Sequence, residues 1–146
     1  AHRDLHSFPT RRSSDLAEVS AVPDRVWPLD GKRSLVALTC SLGAYNATSA
    51  FWIVEGNAVA AAKSVSFPQN GGDAKNMLTN GEFEPKSGRI SYFAKGRGIG
   101  DCGAAGGYAW TGASFTLTEF MMMGECRGIG SDDWITLFRS EVRTAK

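Results

Sequence analysis

The chain has 146 residues, which suits one domain, and a formal net charge of +1. Both histidines, His2 and His6, and the charged residues Arg3, Asp4, Arg11, Arg12 and Asp15 fall in the first sixteen positions, so residues 17–146 carry thirteen basic and thirteen acidic side chains and no imidazole. That composition argues against a nucleic-acid surface, against Ser-His-Asp, Cys-His or His-bearing metal chemistry and, since no apolar run is long enough, against a membrane-spanning helix.

Residues 4–16, DLHSFPTRRSSDL, resemble the translation of a common sequencing adapter, so residues 1–16 are set aside as a tail foreign to the domain. Residues 17–30 hold Pro23 and Pro28 with little periodicity and read as a linker anchored by the ring of Trp27. The domain proper is expected at 31–146, as a fragment of a longer protein. Within it, residues 34–40 (SLVALTC) and 49–55 (SAFWIVE) are rich in apolar and β-favouring side chains and predict two strands. Both are apolar on both faces in places, which puts the pair at the centre of a sheet. Between them, residues 41–48 carry Gly43 and Asn46 and suit a turn, and Asn46-Ala47-Thr48 reads as turn chemistry rather than a glycosylation site. Residues 58–62 are alanine-rich but too short for a stable helix; 63–67 suit a further strand and 68–75 a polar loop. Residues 77–83 and 89–94 predict a hairpin connected through Pro85 and Gly88.

A second hairpin is clearer. With Thr111-Gly112 as a two-residue turn, Trp110 pairs with Ala113, Tyr108 with Phe115 and Gly106 with Leu117, and alternation places all six on one face. Residues 134–142 (WITLFRSEV) predict the last strand. Short strands separated by turn signals make the expected fold all-β: a mostly antiparallel sheet or sandwich of short strands and hairpins with a glycine-rich loop.

Gly98-Ile99-Gly100-Asp101-Cys102-Gly103 matches the spacing G-x-G-x-x-G, but dinucleotide binding needs a helix after the glycines, and here the chain continues into a predicted hairpin. A loop using positive φ is the better reading, and no cofactor is expected. Arg97-Gly98-Ile99-Gly100 recurs as Arg127-Gly128-Ile129-Gly130, each copy beside a cysteine and an aspartate. We read these as two loops that meet in space, their arginines bonding carbonyls, pairing with Asp101, Asp132 or Asp133, or forming an anion-binding surface; structural use is the preferred role. Of the three cysteines, Cys102 and Cys126 flank the second hairpin and suit a disulfide across its base, leaving Cys40 either buried or paired with a residue outside this chain. Met121-Met122-Met123 alternates faces along a strand and makes a poor soft-metal site. Asp101, Glu119, Glu125, Asp132 and Asp133 are the carboxylates available for acid–base chemistry, though solvated turn and edge positions are the preferred reading.

The strings FAKGRGIGDCG (93–103), WTGASFTL (110–117), Glu125-Cys126-Arg127-Gly128 and Asp133-Trp134, with GAYN (43–46) and FEPKSG (83–88), resemble the domain of unknown function 1176 family over residues 27–142. The resemblance implies an exported, periplasmic protein of Gram-negative bacteria with oxidised cysteines, and a longer chain of which this is the C-terminal part. It brings no catalytic residues. The expected function is a non-enzymatic binding or envelope-associated domain whose partner is a protein or envelope component. Its candidate surface is formed by Arg97, Asp101, Arg127, Asp133 and Trp134. Two alternatives are an inhibitor of a cell-wall lytic enzyme, by loose similarity of the hairpin at 108–112, and a carboxylate-based glycan hydrolase.

Overall fold

The computed structural model describes residues 22–143; the tail at 1–16 and the start of the expected linker lie outside the described residues. Among the described residues, ten strands form two antiparallel sheets. The first contains β1 (Arg25–Asp30), β2 (Arg33–Leu42), β3 (Ala47–Glu55), β4 (Lys63–Ser64) and β5 (Met77–Thr79), in the order β1-β2-β3-β4 with β5 also paired to β3. The second contains β6 (Glu82–Glu84), β7 (Arg89–Lys95), β8 (Gly103–Trp110), β9 (Phe115–Met123) and β10 (Ile135–Arg139), in the order β10-β9-β8-β7-β6. The all-β expectation therefore holds. The composition that suggested a linker up to Asp30 hid a strand: residues 25–30 are β1, paired along β2, with Trp27 edge-on to Phe83 at 6.1 Å. Proline at position 28 is tolerated because β1 is an edge strand, where a missing N–H leaves no ladder bond unmade.

Alternation along β2 and β3 sorts their side chains. Leu35 faces Ile53, Ala37 faces Phe51 and Thr39 faces Ser49 on the inner side; Val36 faces Trp52 and Leu38 faces Ala50 on the outer side. Cys40 is the extra residue of a bulge in this ladder, and its thiol donates to the Leu38 carbonyl at 3.3 Å. The inner faces of the two sheets meet through aromatic rings. Phe67, fully buried, touches Phe51 at 5.4 Å on the first sheet and Tyr108 at 5.0 Å and Phe115 at 5.5 Å on the second. The Tyr108 hydroxyl accepts from Gln69 at 3.1 Å, so this buried phenol keeps a partner.

Two expected pairings are corrected. Residues 77–83 do not form one arm of a hairpin: β5 pairs with β3 and β6 with β7, so the chain changes sheets at Asn80-Gly81. Asn80 takes φ +49, and its side chain stitches the crossing, accepting from the Ala47 N–H (2.9 Å) and donating to the Phe93 carbonyl (2.8 Å) and Asn46 (2.9 Å). The rest of that hairpin forms between β6 and β7, with Glu84, read as the first residue of the connection, paired instead with Arg89. In the second hairpin the ladder closes at Trp110–Phe115, so the loop is the four residues 111–114 and Tyr108 meets Leu117. The Thr111 hydroxyl spans the longer loop, donating to the Ser114 carbonyl and accepting from its N–H. The slip is two residues, an even number, so Tyr108, Trp110, Phe115 and Leu117 still share the inner face.

The sheets are clamped at both ends. At one, Asp30 accepts from Arg33 through Nε and Nη2 (both 2.7 Å) and from the Trp110 indole (2.6 Å), while Arg33 also donates to the Gly112 carbonyl (2.8 Å). At the other, Asn46 bonds the Lys95 backbone from both ends of its amide, at 2.9 and 3.1 Å.

Candidate functional site

The two Arg-Gly-Ile-Gly segments occupy the β7–β8 and β9–β10 connections, and antiparallel pairing of β8 with β9 brings them together at one end of the second sheet. Gly103 pairs with Met123, so Cys102 and Cys126 fall just beyond the last rungs and join in a disulfide with 4.7 Å between Cα atoms. Gly96 makes room for it: a Cβ there would lie 2.7 Å from the Cys102 sulfur.

Asp101 is the centre of the cluster. Its carboxylate is 4 % exposed and receives both arms of the Arg97 guanidinium, with Nε at 2.7 Å, plus the Gly128 N–H at 2.6 Å. The Arg97 hydrogen bonds hold its carboxyl well below the usual carboxylate range, against the opposing effect of burial, and Gly128 adds to them. Arg97 reaches on to the Cys126 carbonyl at 3.4 Å. The first loop thus grips the backbone of the second. Trp134 holds the second from beneath: it is buried, donates from its indole to the Ile129 carbonyl at 3.0 Å and meets Phe93 edge-on at 5.4 Å.

The two segments are nevertheless not conformational copies. In the first, Gly100 takes the positive φ (+70) and its N–H donates to the Arg97 carbonyl; in the second, Gly128 takes it (+76). Of the expected surface, Arg97 and Asp101 pair directly, Asp101 and Trp134 are buried beneath the loops, and the other two members stand apart. Arg127 pairs with its near neighbour Glu125, both being largely exposed, and Asp133 sits exposed on a 3-10 turn over Ser131–Asp133. The residues the motif reading overlooked are Tyr45, whose hydroxyl donates to the Gly96 carbonyl at 3.1 Å, and Asn46, which together seat the β2–β3 turn against the first loop. In the sequence both stood within the string GAYN (43–46), with nothing there to tie that turn to the first loop.

Asp101, Cys102 and Cys126 place three potential metal-ligating atoms within 4.8 Å. Both sulfurs are spent in the disulfide, and the carboxylate is already met by a guanidinium and an amide, so the group is a structural knot rather than a cation site. The G-x-G-x-x-G glycines lead directly into β8, with no helix to aim at a phosphate. Glu119 pairs with Arg139 and Glu125 with Arg127.

These features define a disulfide-stapled all-β domain whose ordered loops converge at one end. The chain belongs to the family described as Protein of unknown function (DUF1176), whose profile matches residues 7–141. That match begins well ahead of Trp27, takes in part of the adapter-like segment and covers most of the chain, and it lends no support to a correspondence with the C-terminal part alone. The chain is similar to the Uncharacterized protein YpfG of Escherichia coli (strain K12), with 33% identity over 118 residues, covering 77% of this chain and 34% of that protein. It therefore spans about a third of the length of the curated relative it matches. No solved structure matches it.

Proposed function

We propose that this is an exported, periplasmic, non-enzymatic binding domain that holds a protein or envelope component against the end formed by the two Arg-Gly-Ile-Gly loops. One observation carries the reading. The loops are locked by a disulfide, a half-buried ion pair and an indole hydrogen bond, yet they hold Ile99 75% exposed and Ile129 37% exposed, beside Tyr45 at 41%. Ordering a loop costs conformational entropy, and keeping large apolar side chains in water returns nothing to the folded monomer. A partner that covers them accounts for both. In this arrangement Arg97 and Asp101 build the surface, and Ile99, Ile129, Tyr45 and Arg127 face the partner.

Export is supported by the disulfide, which persists in oxidising compartments and is rare where thiols are kept reduced. The non-enzymatic reading is supported by the pairing of Asp101, Glu119 and Glu125 with arginines. The lytic-enzyme inhibitor gains no observation: Tyr108 and Trp110 of its hairpin face the core and the Asp30 clamp.

The test is site-specific photocrosslinking of the chain directed to the periplasm, from position 99 and, as a control, position 86 in the β6–β7 turn. A discrete adduct from 99 alone is expected. Identical labelling from both positions refutes the surface, measurable glycan turnover refutes the non-enzymatic reading, and a reduced Cys102–Cys126 pair in freshly fractionated cells refutes export.

A further inference from the structure

A cavity lined by residues of both sheets opens at the end of the fold away from the loop cluster. Gly103 and Met123 mark the loop end of the β8–β9 ladder, and Trp110 and Phe115 the other end. There the inner row of the first sheet turns from apolar to charged. Leu35 faces Ile53, and two residues on, Arg33 faces Glu55; across the other edge of β3, Lys63 faces Ile53. Alternation therefore sets Arg33, Glu55 and Lys63 on the side where the second sheet packs. Trp110 lines the cavity from that sheet, and Ala58 and Ala61 line it from a 3-10 turn (Val59–Ala61) and its cap. The volume is about 300 Å³, at the small end of the range for sites that take a small molecule.

The charges in the cavity are unequally engaged. Arg33 belongs to the clamp: it donates to Asp30 and to the Gly112 carbonyl, and its guanidinium lies over the Trp110 ring at 5.1 Å. Glu55 and Lys63 have no hydrogen bond or ion pair at their side chains among the described residues. For Glu55 this is a distinction, because Glu82, Glu84, Glu119, Glu125 and Glu141 are each bonded to an arginine or a serine. The free groups are thus one carboxylate and one ammonium beside an apolar wall. A ligand with a single charge meets one partner and one opponent there, whereas a ligand with both signs is matched at both. Glu55 and Lys63 are diagonal neighbours across the β3–β4 ladder, about 7–8 Å apart at the backbone, so their side chains can reach two charges borne on one carbon. We infer that this cavity binds a free α-amino acid with an apolar side chain. The ammonium goes to Glu55, the carboxylate to Lys63, and the side chain lies against Ile53, Trp110 and the two alanines.

The inference does not rest on the loop surface, which lies at the other end of the second sheet. It is tested by titrating the whole chain at pH 7 with leucine, glycine, leucine methyl ester and 4-methylpentanoate, followed by heat release and tryptophan fluorescence. The ester lacks the carboxylate, 4-methylpentanoate lacks the ammonium, and glycine lacks the apolar side chain. Saturable binding of leucine is expected, with each of the other three at least tenfold weaker. Glu55→Gln is expected to abolish the preference over 4-methylpentanoate, and Lys63→Gln the preference over the ester. Both positions are exposed, so the fold should tolerate either change, and circular dichroism checks it. Absence of a saturable signal with leucine up to its solubility overturns the proposal. So does an affinity for the ester or for 4-methylpentanoate equal to that for leucine, or a set of preferences that both variants leave intact. Crosslinking from position 99 should be the same in Lys63→Gln as in the parent, so the two readings fail separately.

Discussion

Removing the bridge with the paired change Cys102→Ala/Cys126→Ala is expected to cost the domain about 3.5 kcal/mol. The figure follows from the sequence separation of 24 residues: cross-linking a segment of that length withdraws chain entropy from the unfolded state worth about 3.5 kcal/mol at 25 °C. For a domain of this size that is a drop of roughly 10–15 °C in the thermal midpoint. The buried Cys102 sulfur also fills the space beside Gly96, so alanine leaves a small void in addition. Reduction of the parent protein separates the two effects, since it opens the loop but keeps the sulfur. The assay is urea unfolding of oxidised parent, reduced parent and double variant, with free energies extrapolated to water. The reduced parent should lose most of the 3.5 kcal/mol, and the variant slightly more. A loss below about 1 kcal/mol in both would refute the entropic account and mean that β8–β9 contacts already persist in the unfolded chain.

Asp101→Asn should lower stability at pH 7 and flatten its acid dependence. The folded-state pKa of Asp101 lies below the unfolded value near 4, so its contribution is present above about pH 4 and is lost as pH falls below that; urea midpoints between pH 7 and 2 should converge for the two proteins at the acid end. Phe67→Ala should cost about 3–5 kcal/mol by equilibrium unfolding, because the ring is fully buried and joins three aromatic residues across both sheets. Gly103→Ala should cost more than about 3 kcal/mol or prevent folding, judged by soluble yield and circular dichroism, since φ is +132 and the new Cβ would lie 2.1 Å from the Ala94 carbonyl oxygen.

The sequence by itself determined much of the local structure. Apolar and β-favouring residues announced β2 and β3, turn chemistry marked the arm that became β7, and alternation marked the hairpin of β8 and β9, because each is a property of the local chain. The hairpin of Trp110 and Phe115 was legible with the right face but the wrong register, because parity is written in the pattern while loop length is decided by how the Thr111 hydroxyl bridges the turn. The disulfide was legible because antiparallel pairing carries the ends of a hairpin together whatever surrounds it. Other features belonged to the tertiary structure alone. The run 77–83 reads as one strand, and only the competition between β3 and β7 for its backbone, settled at Asn80, divides it between two sheets. The motif marked Arg97 and Arg127 as equivalents, yet a buried aspartate stands beside one and an exposed glutamate beside the other, so the first became structure and the second stayed at the surface. The central place of β2 and β3 was foreshadowed by strands apolar on both faces. Which face of them meets the second sheet was decided only by the tertiary structure, because burial depends on what packs against a strand and not on the strand itself.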